Sequence, residues 1–356
     1  MNKPVQAATI TDVAQRARVS IKTVSRVVNR EPGVHEETRA AVLKVVAELN
    51  YRPKQSARSL AGARSFLIGL LYYDPSAAFI GGVQQGATHR CRDAGYHLVV
   101  ESLESDAGDI GTQLDHMVSA LRPDGMILTP PVCDNPTVLD ALQAARIPCV
   151  LISPDAHVHH LSQVRMDDVL AAEELTNLLI SLGHTRIGFI KGAADQSASG
   201  LRLQGFLQAM KAHDLSVESD LIYQGNFTFP SGVEGAHHLL SRRSPPTAVF
   251  ASNDDMALGV LSTAQRLGLS VPGDLSIVGF DDSPAASLVW PPLTTVRQPL
   301  AEMAAAAVDL LISREARPTD PGAEGQAAPA ALRVIGHELI VRASTAAPQR
   351  RSVSRA

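Results

Sequence analysis

The chain has 356 residues, with 32 Lys/Arg against 36 Asp/Glu and 45% hydrophobic residues; that is too long for one core and apolar enough for well-buried globular domains. No apolar run reaches membrane-spanning length, and the polar opening residues lack the charged-then-apolar layout of a secretion signal, so the expected compartment is the cytoplasm. The near-neutral total hides a division: residues 1–64 hold 12 Lys/Arg against 5 Asp/Glu, leaving 20 against 31 for the rest.

Two short helices are predicted first. Thr9 caps one, with Asp12 three residues on completing a capping box, and Ile10, Val13, Ala14 and Ala17 fall on a single face. Val19 plugs a tight turn and Ser20 caps the second helix, which buries Val24, Val27 and Val28 and leaves Ile21, Lys22, Ser25, Arg26 and Asn29 outside. A third helix begins near Glu36, with Thr38, Val42, Val46 and Leu49 inward, and stops at Asn50-Tyr51-Arg52-Pro53. Three small helices around one mini-core, on a basic segment, form a device for placing a helix in a DNA groove. Residues 54–63 have helical composition but no apolar face wide enough to bury alone, so they are expected to order only on a partner.

From residue 66 onward, short apolar runs alternate with helical stretches. Strands are predicted at 66–71, 97–100, Gly125–Leu128, Cys149–Ile152, 187–190, 247–251 and 276–279, and helices at 82–93 and 254–267 among others. This order implies an α/β body of parallel sheets covered on both faces. A strand at 164–166 marks the passage to a second lobe, and 291–296 a return crossing. Residues 317–331, rich in Pro, Gly and Ala, read as a surface loop, and 347–356 as a basic, disordered tail. Polar residues just after the body strands are candidates for a ligand cleft, because open parallel sheets bind at the carboxyl ends of their strands. Asn253, Asp254, Asp281, Asp282 and Arg202 stand there, although Asp254 and Asp282 also suit plain capping roles.

The Asp12-Val13-Ala14 start, the Val19-Ser20 turn, the run Thr23 to Asn29, the Leu49-Asn50-Tyr51-Arg52-Pro53 end and Ser59-Leu60-Ala61 together resemble the lactose-repressor family of bacterial transcription regulators. His35 departs from the family's usual Ser-like cap. The resemblance implies a helix-turn-helix head (1–53), a hinge (54–64) and a two-lobed, doubly wound body (65–346) like a periplasmic sugar-binding protein. Its first lobe is expected at about 65–166 and 294–320, its second at about 167–293 and 328–346. DNA contacts are then expected from Thr9, Ser20, Ile21, Lys22, Thr23, Ser25, Arg26 and Asn29 in the head. Ala57, Arg58 and Leu60 are expected to contact it from the hinge, Leu60 as a minor-groove wedge. An effector is expected at Arg202, Asn253, Asp281, Gln298, Phe227, Phe79 and Ser153, the last where some members carry an Asp ligand.

Other chemistries fit less well. The set His157, His159, His160, His237 and His238 lacks a Cys or second acidic cluster and reads as solvated. Gly81, Gly82 and Gly86 lie about ten residues past the strand that a dinucleotide fingerprint would follow directly. Cys91, Cys133 and Cys149, odd in number and widely spaced, read as buried or free thiols. Neither a P-loop nor a nucleophile elbow is present, so no enzyme, metal or cofactor is expected. The implied function is a repressor of carbohydrate-utilisation genes, a homodimer on near-palindromic double-stranded operator DNA, controlled by a sugar-like effector. A purine or other metabolite is the alternative effector.

Overall fold

The computed structural model describes residues 8–28, 32–51, 64–73, 76–103, 109–155, 160–313 and 330–349. Asn29, Ala57, Arg58, Leu60, the hinge residues 54–63, His157, His159, most of the 317–331 loop and residues 350–356 lie outside these. The chain divides into two units, Met1–Phe66 and Leu67–Ala356.

The first unit contains α1 (Ile10–Ala17), α2 (Ile21–Val28) and α3 (Glu36–Glu48). The capping box at α1 forms in full: Thr9 N donates to Asp12 Oδ2 at 2.7 Å and Asp12 N to Thr9 Oγ1 at 3.4 Å. Thr23 N donates to Ser20 Oγ at 3.1 Å, which starts α2. His35 makes no side-chain cap bond to α3. Val13, Ala14, Val24, Val27, Val42, Val45 and Tyr51 are the buried core. Val45 takes the central place that the sequence reading gave to Val46, which is only half-buried.

In the second unit, six strands make one parallel sheet in the order β11-β5-β4-β3-β1-β2. Their bounds are β1 (Leu67–Tyr72), β2 (His97–Ser102), β3 (Gly125–Leu128), β4 (Cys149–Ile152), β5 (Ser162–Arg165) and β11 (Leu332–Val334). A second parallel sheet has the order β7-β6-β8-β9, formed by β6 (Ile187–Lys191), β7 (Ile222–Gln224), β8 (Ala248–Ala251) and β9 (Ser276–Val278). Both orders reverse direction beside the first strand of the lobe, between β1 and β3 and between β6 and β8. Each reversal opens a crevice at the carboxyl ends of the strands.

Three segments join the lobes: the exit from β5, the stretch through β10 (Thr295–Arg297), and the stretch from β11 to β12 (Glu338–Ile340). β10 and β12 pair antiparallel, Val296 opposite Leu339, and single bridges Val278 to Thr294 and Asp281 to Arg297 attach β10 beside β9. One boundary is corrected. Leu332–Val334 pairs with β5, Arg333 opposite Val164, so this part of the expected 328–346 piece belongs to the first lobe. The final crossing therefore falls after it. Residues 347–349, expected to belong to the disordered tail, are described too, with Pro348 Cδ 3.7 Å from where a Cβ on Gly183 would lie, so the packed body runs past the expected boundary.

The helices lock each lobe. Gly86 sits so near the helix Leu300–Ile312 that a Cβ would lie 2.1 Å from Ala301 O, and Arg90 Nε donates to Asp309 Oδ1 at 2.7 Å across the same pair. In the second lobe Phe189 stacks against Phe206 and Phe250 with centroids 4.8 and 4.9 Å apart, a compact aromatic centre under the crevice.

Candidate functional site

In the head, α2 presents Ile21 (49% exposed) and Lys22 to solvent while Val24 and Val27 are buried beneath. Arg26 is also exposed, and Ser25 and Thr23 are half-buried. Thr23 Oγ1 lies 2.9 Å from Ser20 Oγ, so these two hydroxyls shape the turn that aims α2. Thr9 is tied into its capping box. An exposed aliphatic residue next to a lysine at a helix start is a chemically apt base reader: the ammonium donates to guanine acceptors and the alkyl group touches a thymine methyl.

In the body, all seven expected effector residues line one cleft: Phe79, Ser153, Arg202, Phe227, Asn253, Asp281 and Gln298. The cleft is open at one side, and the roughly 430 Å³ of non-atom space in it includes open solvent. Ser76, Pro130, Asp168, Gln196 and Ala198 complete its lining and were not foreseen. Topology explains the convergence. Ser76 and Phe79 follow β1, Pro130 follows β3, Gln196 and Arg202 follow β6, Asn253 follows β8 and Asp281 follows β9.

Arg202 is the centre of the second-lobe wall. It projects from the helix Ser197–Ala212, donates through Nε to Asp168 Oδ1 at 2.9 Å and through Nη1 to Ser252 O at 2.5 Å, and lies 3.8 Å from Asp281 Oδ1. Its guanidinium stacks 3.7 Å from the Phe280 ring centroid and 5.8 Å from that of Phe227, a desolvated cation over aromatic faces. Asp168 opens the helix Asp168–Ser181 while the preceding Asp167 caps it, accepting from Leu170 N at 2.9 Å.

Asp281 adopts φ 118° and accepts from Gln298 Nε2 at 2.6 Å, while its own N donates to Val296 O at 2.8 Å. Burial pushes its carboxyl well above the usual range, with Arg202 pulling the other way. Asp254 behind it is pushed up to about 6, again by burial, against the bonds it accepts from Ser283 N at 2.7 Å and Thr295 Oγ1 at 2.8 Å. The capping role considered for Asp254 belongs to Asn253, whose Oδ1 accepts from Met256 N at 2.9 Å. Asp254 instead ties the β10 crossing to the floor of the cleft. Asp282 bridges the crossing segments, accepting from Arg297 Nε at 2.8 Å and Arg342 Nη2 at 2.5 Å.

Phe227 has φ 65°, and its carbonyl accepts from Asn253 Nδ2 at 2.9 Å. Asn253 therefore both caps a helix and fixes the aromatic platform. At the rim, Ser76 Oγ donates to Asp255 Oδ2 at 3.5 Å and Ser197 Oγ to Ser153 O at 3.4 Å, long hydrogen bonds that run from one lobe to the other. Cys91, Cys133 and Cys149 are buried, and burial raises all three thiols, Cys91 and Cys149 to about 11; such thiols are inert. Among the described residues no group of three or more His, Cys, Asp or Glu is placed to hold a metal, and no helix is long and apolar enough to cross a membrane.

Comparison with known proteins places both units. The model described as bacterial regulatory proteins, lacI family, matches residues 9–54, and that of a periplasmic binding protein-like domain matches residues 176–345. The ribose operon repressor of Escherichia coli (strain K12) is 34% identical over 312 residues, which cover 88% of this chain and 94% of that one. A solved complex of the transcriptional regulator CelR with cellobiose aligns with TM-score 0.71 and 30% identity, covering 95% of this chain and 99% of CelR. The lac repressor dimer bound to operator aligns with TM-score 0.75 and 27% identity, over 96% of this chain and all of that one.

Proposed function

From the premise that the chain belongs to the lacI family of bacterial regulatory proteins, and is thus a DNA-binding transcription regulator, we propose that it is a homodimeric repressor of carbohydrate-utilisation genes whose operator binding answers to an uncharged sugar in the inter-lobe cleft. The observation that carries the effector class is the charge of the cleft. Among its described lining residues Arg202 is the sole cation, and it already faces Asp168 and Asp281. A phosphate or carboxylate ligand would meet two carboxylates and no uncommitted cation, so an anionic metabolite is disfavoured. Sugar hydroxyls donate to Asp281 and Gln298, and the C–H faces of a ring fit between Phe79 and Phe227. The ribose and cellobiose associated with two similar proteins are both uncharged sugars.

A ligand touching both walls adds bonds that only one lobe arrangement can make, and so shifts the lobe equilibrium that the long Ser76–Asp255 and Ser197–Ser153 bonds hold weakly. Two-fold symmetry supplies two heads for a near-palindromic operator. The reading involves no catalysed reaction.

The test is a thermal-shift panel on the full chain with ribose, cellobiose, glucose, glucose 6-phosphate and hypoxanthine, followed by gel shift on the DNA upstream of its own gene. Expected is a rise in melting temperature with one or more neutral sugars alone and a change in operator affinity with the same ligand. A response to hypoxanthine or to the sugar phosphate, with none to neutral sugars, would overturn the effector class while leaving the regulator assignment intact.

A further inference from the structure

The two adjacent aspartates after β9 face opposite ways. Asp281 lines the cleft, whereas Asp282 is not among its described lining residues, and the Asp282 carboxylate, 9% exposed, lies among the segments that join the lobes. Both residues adopt positive φ, 118° and 54°, a region that favours glycine and that other residues occupy where surrounding bonds hold them there. The second crossing supplies those bonds in consecutive pairs. Gln298 Nε2 donates to Asp281 Oδ1 at 2.6 Å, the preceding Arg297 donates through Nε to Asp282 Oδ2 at 2.8 Å, and Val296 O accepts from Asp281 N at 2.8 Å. One dipeptide thus holds one carboxylate in the cleft and one in the hinge, both against the same crossing.

From Asp282 the contacts continue around the hinge. Arg297 Nη1 also donates to Glu338 Oε2 at 2.6 Å, and Arg342, just past β12, donates through Nη2 to Asp282 Oδ1 at 2.5 Å. Glu338, Arg297, Asp282 and Arg342 therefore alternate in charge along one chain that joins the second crossing to the third. Arg342 is anchored in turn through Nη1 to Leu293 O at 2.9 Å. His337, in the third crossing, meets Glu174 at 2.9 Å on the helix that the first crossing enters. A buried ion pair is weak grounds for stability, since well-packed apolar residues of similar volume often do as well; fixing one arrangement against another is its better-attested use. Here the arrangement is that of the crossings. The lobes can rotate only by torsion in the three crossings, so short bonds between two of them are made at one lobe angle and stretched at others.

We propose that Asp282 is the positioning residue that carries occupancy of the cleft to the hinge. With Arg297 and Arg342 it holds the second and third crossings at one angle. An effector at Asp281 and Gln298 displaces the dipeptide and the crossing that both pairs share, and so resets that angle. Asp282 does this without touching the effector. The proposal rests on the effector lying at Asp281, as read above, and not on its being a sugar.

The experiment reads the lobes first without any effector. The full chain carries spin labels at Asp140→Cys, on the helix Pro136–Ala144 of the first lobe, and Lys211→Cys, on the helix Ser197–Ala212 of the second; both positions are exposed and the three native thiols are buried. Labelled chain is diluted into excess unlabelled chain, so that each distance lies within one protomer. Double electron–electron resonance then gives the inter-lobe distance for wild type, Asp282→Asn, Arg297→Gln and the control Glu218→Gln, which removes an ion pair with Arg186 inside the second lobe. Expected in both hinge variants is a change of about five-fold or more in the ratio of lobe arrangements, with the control like wild type. Gel shift with ribose, cellobiose, glucose, glucose 6-phosphate and hypoxanthine follows. A compound that alters wild-type operator affinity should alter it at least about five-fold less in Asp282→Asn.

A wild-type distance in either folded hinge variant overturns the proposal, as does an equal change in Glu218→Gln or an undiminished effector response in Asp282→Asn. Lost effector binding with wild-type distances would make Asp282 an effector contact, which also overturns it. Should Asp282→Asn fail to fold, Arg297→Gln, whose side chain is 49% exposed, decides in both assays. If hypoxanthine or the sugar phosphate acts and no neutral sugar does, the sugar reading fails and the coupling is judged on that compound; if none of the five acts, the lobe distances decide.

Discussion

Gly192 gives a direct test of how the aromatic platform is held. It follows β6, and a Cβ built on it would lie 1.9, 2.2 and 2.4 Å from Cζ, Cε1 and Cε2 of Phe227. Ordinary carbon contact needs about 3.5 Å, so in Gly192→Ala the ring must retreat by roughly 1.5 Å. Neither side yields easily: Gly192 O accepts from Gln224 Nε2 at 2.5 Å, and Phe227 is fixed by its φ of 65° and by the bond from Asn253 to its carbonyl. Overpacking of this kind costs about 1–3 kcal/mol, which in a body of this size lowers the melting temperature by about 2–5 °C. Losing the ring's stacking surface, worth about 0.5–1.5 kcal/mol, weakens the sugar found by the thermal-shift panel by about 2- to 12-fold. Gly200 is the control, since a Cβ there meets nothing within 4 Å and the residue sits on the exposed face of a helix. Gly200→Ala should be neutral or stabilise by about 0.5–1 kcal/mol, as alanine does in a helix. Scanning calorimetry and ligand titration of both variants decide the matter. Equal melting temperatures and equal affinities in the two would refute the claim that Gly192 is glycine to make room for Phe227.

Arg202→Ala leaves Asp168 buried beside Asp281 without its cation, and should cost about 3–5 kcal/mol in urea unfolding; adding Asp168→Asn should recover part of that loss, and no recovery would remove the ion pair as the cause. His184 is buried between Thr247 Oγ1 at 2.8 Å and Ala346 O at 2.9 Å, and burial lowers its pKa. Its contribution to stability is therefore complete above about pH 6.5 and is lost as pH falls through the lowered folded value. Asp254, raised to about 6, acts in the opposite sense, losing its contribution as pH rises through that value. The melting-temperature gap between wild type and His184→Gln should accordingly narrow from pH 7.5 to 5, and a gap constant with pH would count against the clamp. Lys22→Ala should lose about 1–3 kcal/mol of operator affinity and relax the preference at one symmetric base pair; uniform weakening on all sequences, read by gel shift, would make Lys22 a phosphate contact instead. Trp290, the chain's single tryptophan, is 82% exposed beside Leu288 at 83%, and under the proposed homodimer this pair is expected to lie in the interface. Trp290→Glu should shift sedimentation toward monomer, and an undisturbed dimer would place the interface elsewhere.

What the sequence made legible follows from where the information is local. Gly125–Leu128 and Cys149–Ile152 are continuous apolar runs buried on both faces, and their limits were read without error. The strands Ile222–Gln224, Leu332–Val334 and Glu338–Ile340 were not foreseen as strands: each is three residues long and partly or wholly exposed. Only their partners make them strands, and the partner of Leu332–Val334, the adjacent β5, lies far back along the chain. The cleft shows the same division. Polar doublets after strands or at helix starts, Asp167-Asp168 and Asn253-Asp254, announce a cap, and in both the first residue does cap the helix. The second residue turns inward to a partner far along the chain, Arg202 at 34 residues from Asp168 and Thr295 at 41 from Asp254. Capping needs only a spacing of three, so it can be read from a sequence window. The inward carboxylate is stable only where topology delivers a cation or hydroxyl to it, and no sequence window shows that partner: Asp168 escaped notice, and the cap of the helix after Asn253 was assigned to the inward-turning Asp254.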